Sequence, residues 1–80
     1  MLGAMQRIEV AFGQVVRRRR LQLGLSQEDF ADRAKIHRTY VGSIELGKVQ
    51  VSIGIAYQLA KALDVPLSRL WKDVEHELTT

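Results

Sequence analysis

Arg38, Thr39 and Ser43 are the residues of this chain whose types and spacing can do recognisable chemistry. At 3.6 residues per turn the three fall on one broad face of a short helix. An α-helix fits the major groove of B-DNA, and side chains near its start reach base edges. There Arg38 can bond bidentately to guanine O6 and N7, and Thr39 can offer its hydroxyl or touch a thymine methyl. Ser43, one turn on from Thr39, reaches the same groove more weakly. Gly42 suits a close approach of helix to groove, and equally suits an unremarkable helix glycine. Each reactive group has a plainer alternative: an ordinary surface arginine, and short hydroxyls that meet phosphate or water.

Other chemistry has little material to work with. The chain has no Cys, so neither a disulfide framework nor a thiolate metal site can be built, which agrees with a reducing cytoplasm. No Gly-rich phosphate loop, no nucleophile beside a base and no metal-ligand cluster is present, so an enzyme is not expected. His37 precedes the segment just described, where a cap residue is expected. A ring nitrogen could cap or meet phosphate there, and a plain exposed histidine is the favoured reading. His76 lies far along in an acidic tail. No metal, cofactor or small-molecule ligand is expected.

The eighty residues are expected to form one small domain, with no separate effector domain among them. Net charge is +3, unevenly spread: residues 1–63 carry ten Lys/Arg against five Asp/Glu, and residues 64–80 carry two against four. A basic body with an acidic tail suggests that one surface meets a polyanion, the alternative being a mixed solvated surface. No apolar run approaches the roughly 18 residues that span a bilayer. The opening MLGAMQRIEV lacks a signal peptide's apolar core, and residues 1–7 are expected to be a flexible tail.

The elements that must position Arg38 can be read from caps and apolar spacing. A first helix is expected over Ile8 to Leu23, with Phe12, Val16 and Leu23 inward and Gly24 as its left-handed stop. Arg17 to Arg20 sweep its whole circumference, so at least one must lie on the packed side with its head paired. Ser26, with Asp29 three residues on, caps a second helix from Gln27 to Ala34, whose inward residues are Phe30, Ala31 and Ala34. Lys35-Ile36-His37 forms a break. A third helix, Arg38 to Leu46, buries Val41 and Ile44 and stops at Gly47. Ser52 caps a fourth over Ile53 to Leu63, with Ile55, Ala56, Leu59, Ala60 and Leu63 inward. Asp64-Val65-Pro66 opens a fifth, on which Leu67, Leu70, Trp71, Val74 and Leu78 form one stripe. The expected fold is all-α, a compact five-helix domain.

Two helices joined by about three residues can cross closely only where a small side chain lies at the crossing, and Ala31 supplies it. The run from Ser26 to Gly47 resembles the helix-turn-helix of the phage repressor and Cro (Xre-like) class. The shared features are Ser26-Gln27, Phe30-Ala31, Ile36, Val41 with Ile44, and Glu45-Leu46-Gly47-Lys48. The resemblance extends from Phe12 through Leu70. Within the class, Arg38-Thr39-Tyr40-Val41 and Ile44-Glu45 are similar to restriction-modification controller proteins. Two positions depart. Lys35 stands where the turn commonly has Gly, and a left-handed lysine there would store about 1 kcal/mol of strain. Arg19 stands where the class often places an aliphatic residue.

The resemblance implies a sequence-specific regulator of double-stranded DNA, acting as a homodimer on a pseudo-palindromic operator. It implies that Gln27 grips a phosphate and that Arg20 pairs with Glu45. Lys48 and the amides near Val49 and Gln50 are further phosphate candidates. Tyr40 could contact the DNA backbone or pack the helix pair. The helix over 66–78 is the expected dimer element through Leu67, Leu70, Trp71 and Val74, since its stripe exceeds what a small core can absorb. A protein-bridging module of the same fold, or an antitoxin-type regulator, is the alternative.

Overall fold

Caps and left-handed stops divide the described chain, residues 7–79 of this computed structural model, into five helices. They are α1 (Ile8–Gln22), α2 (Gln27–Ala34), α3 (Arg38–Glu45), α4 (Ile53–Ala62) and α5 (Leu67–Leu78). Ser26 Oγ accepts the Asp29 N–H at 3.0 Å, and Ser52 Oγ accepts the Ile55 N–H at 3.0 Å. Both hydroxyls satisfy a first-turn donor that the helix itself leaves open. Residues with positive φ follow four of the helices: Gly24, Lys35, Gly47 and Asp64.

Lys35 is left-handed at φ 61°, as the turn geometry demands of a position where Gly is common. Its side chain is exposed, so little offsets the strain. Lys35→Gly is therefore expected to raise unfolding stability by up to about 1 kcal/mol, read as a later urea midpoint. A falling midpoint would count against this turn.

Phe12 and Val16 of α1, Phe30, Ala31 and Ala34 of α2, and Val41 and Ile44 of α3 close one core with Ala56, Leu59, Ala60 and Leu63. Helices α1 and α2 both pack against α3, and α4 and α5 close the far side. Leu23 departs from the expected stripe. It is the C-cap, one residue past α1, and its side chain stays exposed. Ile55 is only half-buried at the core margin. Pro66 is the N-cap of α5 and lies outside its first turn, because φ −68° with ψ 151° is extended backbone.

A larger correction concerns α5. Leu70 and Val74 are fully buried in the chain's own core, so neither has surface to offer a second copy. The small core absorbs more of the stripe than its length suggested, because α5 lies against α1. Leu67 and Trp71 remain half-buried, and the Trp71 ring stands 5.4 Å from that of Phe12. The flexible tail expected over 1–7 falls outside the described residues except for Arg7. That residue is tied down: its Nη2 donates to the Gly47 carbonyl at 3.1 Å.

Candidate nucleic-acid interface

Helix α3 turns Val41, Ile44 and Glu45 inward, which leaves Arg38 and Thr39 exposed and Gly42 and Ser43 partly so. The sequence-predicted base-reading residues thus share one outward face. The Tyr40 ring is half-buried against the core and helps pack the helix pair. His37 departs from the favoured reading. Though exposed, it caps α3, its Nδ1 accepting the Thr39 N–H at 3.1 Å. Histidine is outside the usual set of cap residues, but an unprotonated ring nitrogen is an adequate acceptor.

A buried polar network holds the end of α3. Arg20 Nε donates to Glu45 Oε2 at 2.6 Å and Nη2 to Oε1 at 3.0 Å, a bidentate pair. Arg20 is 6% exposed and Glu45 8%, so solvent screens little of this attraction. Nη1 of Arg20 also donates to the Leu25 carbonyl at 2.8 Å. Hydrogen bonding to Glu45 pushes the guanidinium above its already high value, with burial opposing and the nearby carboxylate charge reinforcing. The pair joins α1, the loop before α2, and the last turn of α3.

Gln27 joins the same network, its Nε2 donating to Glu45 Oε1 at 3.0 Å. Its side chain is thereby oriented by the clamp. Its backbone N–H belongs to the first turn of α2, where helix geometry leaves donors open to an anion. Lys48 is exposed one residue past Gly47. Gln50 is engaged elsewhere: its Nε2 donates to Glu9 Oε2 at 3.0 Å. Hydrogen bonding to its own backbone, then to Gln50, holds the Glu9 carboxyl below its usual range, so a phosphate reaching Gln50 would face a carboxylate.

The four arginines divide as helix geometry requires. Arg17 is exposed, and Arg18 pairs with Glu77 at 2.7 Å. Arg19, half-buried where an aliphatic residue is common, donates to the Leu63 carbonyl at 3.4 Å and so helps cap α4. Arg20 is the buried member with a paired head. Among the described residues no helix is long and apolar enough to cross a membrane, and no three His, Cys, Asp or Glu stand together to hold a metal.

Gly13 was missed by sequence reasoning, and it sets how closely α1 meets α3. A methyl there would overlap the Ile44 carbonyl oxygen and lie 2.8 Å from that of Glu45. Its only sequence signal was a glycine inside a helical apolar pattern, which by itself does not say what approaches.

Residues 16–70 match the helix-turn-helix family. The chain is similar to control protein C.MunI of a Mycoplasma species, 38% identical over 74 residues that span 91% of this chain and 100% of the relative. Among solved structures it is similar to the restriction-modification controller protein C.AhdI from Aeromonas hydrophila. That likeness has 42% identity and a TM-score of 0.75, and covers 78% of this chain and 94% of the other. Its fold is also that of the restriction-modification controller protein C.Esp1396I, solved as a tetramer in complex with its natural 35 base-pair operator. The TM-score is 0.86 at 24% identity, over 94% of this chain and 99% of the other.

Proposed function

This chain belongs to the helix-turn-helix family of DNA-binding regulators, of the type found among restriction-modification control proteins, and from there we propose that it reads a pseudo-palindromic operator as a homodimer. The carrying observation is the outward face of α3, where Arg38 and Thr39 stand exposed above a buried ion-pair clamp. Arg38 reads guanine, Thr39 and Ser43 make shorter contacts beside it, and Gln27 and Lys48 fix the register on phosphates. Gln50 joins them against the repulsion of the Glu9 carboxylate to which its amide donates.

Two copies would set their recognition helices about 34 Å apart, one turn of DNA. The dimer face is assigned to the side where α5 meets α1. Support comes from an open apolar groove there, lined by Phe12, Val49, Val51 and Trp71 among others. Leu67, half-buried on the same helix as Trp71, adds apolar edge.

Duplexes selected from a random pool by the purified protein test this reading. Wild type should prefer one sequence by about 10³-fold or more, lose affinity steeply with salt, and bind as two chains per duplex. Arg38→Ala should weaken the selected duplex by roughly 10- to 100-fold and an unrelated duplex far less. A salt slope without sequence preference would favour the bridging-module reading instead.

A further inference from the structure

Gly42 has no reason inside the chain to be glycine. Its backbone is ordinary helix within α3, without the positive φ of Gly24 and Gly47. A methyl built on it would meet only the Gln27 side-chain oxygen, at 3.9 Å, an ordinary contact. Gly13 and Gly47, by contrast, sit where neighbouring backbone leaves no space. Gly54 has similar room, but it lies in the first turn of α4, where few helical hydrogen bonds depend on it. Alanine in the interior of α3 would favour the helix, and α3 is short, with no acidic residue in its first turn and no basic one in its last.

At 3.6 residues per turn Gly42 falls between Arg38 and Thr39 near the middle of the outward face. Ser43 borders it on the far side of Thr39, and Leu46, 67% exposed, stands one turn beyond. The centre of the face is therefore a notch of bare backbone. Leu46 gives its rim an apolar edge, beside Thr39.

Resting on the DNA-reading assignment above, we propose that this notch is a specificity site that receives the C5-methyl of one thymine in the major groove. That methyl is the one apolar group that projects from a base edge there. A bare backbone lets it come within van der Waals distance of α3, and any side chain at position 42 would occupy its place. The notch selects by shape; Arg38 beside it selects by hydrogen bonding.

The test replaces each thymine of the selected duplex in turn by uracil, which removes only the methyl, against wild type and Gly42→Ala. Wild type should lose about fourfold in affinity at one thymine, the worth of one buried methyl group. Gly42→Ala should keep a urea midpoint at or above wild type, yet bind the thymine duplex about tenfold more weakly. At that one position the variant should prefer uracil to thymine, because its own methyl fills the vacated space. Gly42→Ala binding as tightly as wild type, or losing affinity equally on every substituted duplex, would overturn the notch. Selection that yields no preferred duplex would instead bring down the DNA-reading assignment, and the notch with it.

Discussion

Glu45→Ala is expected to lower the stability of the domain by about 3–5 kcal/mol and to weaken DNA binding with it. Truncation leaves the Arg20 guanidinium buried, with the Leu25 carbonyl as its remaining polar contact. Arginine cannot escape by giving up its proton, so the charge stays in a site that no longer neutralises it. That cost is a large share of the roughly 5–15 kcal/mol that holds a typical domain together. Glu45 itself is buried, and its effect on DNA runs through geometry. Without it the last turn of α3 loses its tie to α1, and Gln27 loses the acceptor that orients its amide. Affinity for the selected duplex should fall more than affinity for an unrelated one, since base contacts need orientation and phosphate attraction needs less. Glu45→Gln preserves the shape but keeps only one acceptor oxygen, and its NH2 meets an Arg20 N–H donor to donor with the charge gone. It fills the space that alanine leaves, so it should lose stability too, but less. Urea unfolding with duplex titration under folded conditions checks both. An unchanged urea midpoint in Glu45→Ala would remove the pair as a clamp.

Legibility in the sequence followed the range of the interaction. Helix α2 was readable to both ends, because Ser26 caps it and the left-handed Lys35 stops it, and both are local events. The pairing of Arg20 with Glu45 spans 25 positions, and no periodicity announces it; the resemblance to known repressors supplied it. Apolar stripes were readable as faces but not as destinations. The stripe on α5 was visible, yet only the packing of α5 against α1 reveals that Leu70 and Val74 are spent within the chain. Arg19 shows the reverse: a charged residue stands where the class often places an aliphatic one, and only the fold reveals that its head caps the end of α4. His37 was undervalued because a cap is usually sought among hydroxyls and short amides or acids. The outward face of α3 was legible because it is what remains once Val41, Ile44 and Glu45 turn inward.

Close backbone crossings leave the faintest trace in a sequence, and Gly13→Ala tests one where the forces are opposed. Alanine is the better helix former, worth up to about 1 kcal/mol in the interior of α1. Against that, the new methyl would run into the carbonyl oxygens of Ile44 and Glu45 in the last turn of α3. These are backbone atoms of a hydrogen-bonded helix and cannot rotate aside as a side chain would. The neighbouring contact allows no sliding either, since a methyl on Gly47 would come within 2.8 Å of the Val10 Cα. Arg7 anchors the same corner through the Gly47 carbonyl. Overpacking of this kind typically costs about 1–3 kcal/mol or more, so the clash outweighs the gain in helix propensity. The expected net loss is about 2 kcal/mol, read from urea unfolding. The displaced α3 backbone also carries Glu45 away from Arg20, so affinity for the selected duplex should drop while Arg38 and Thr39 are untouched. A urea midpoint at or above wild type would mean that α1 and α3 part without penalty, and that the crossing does not hold the recognition helix in place.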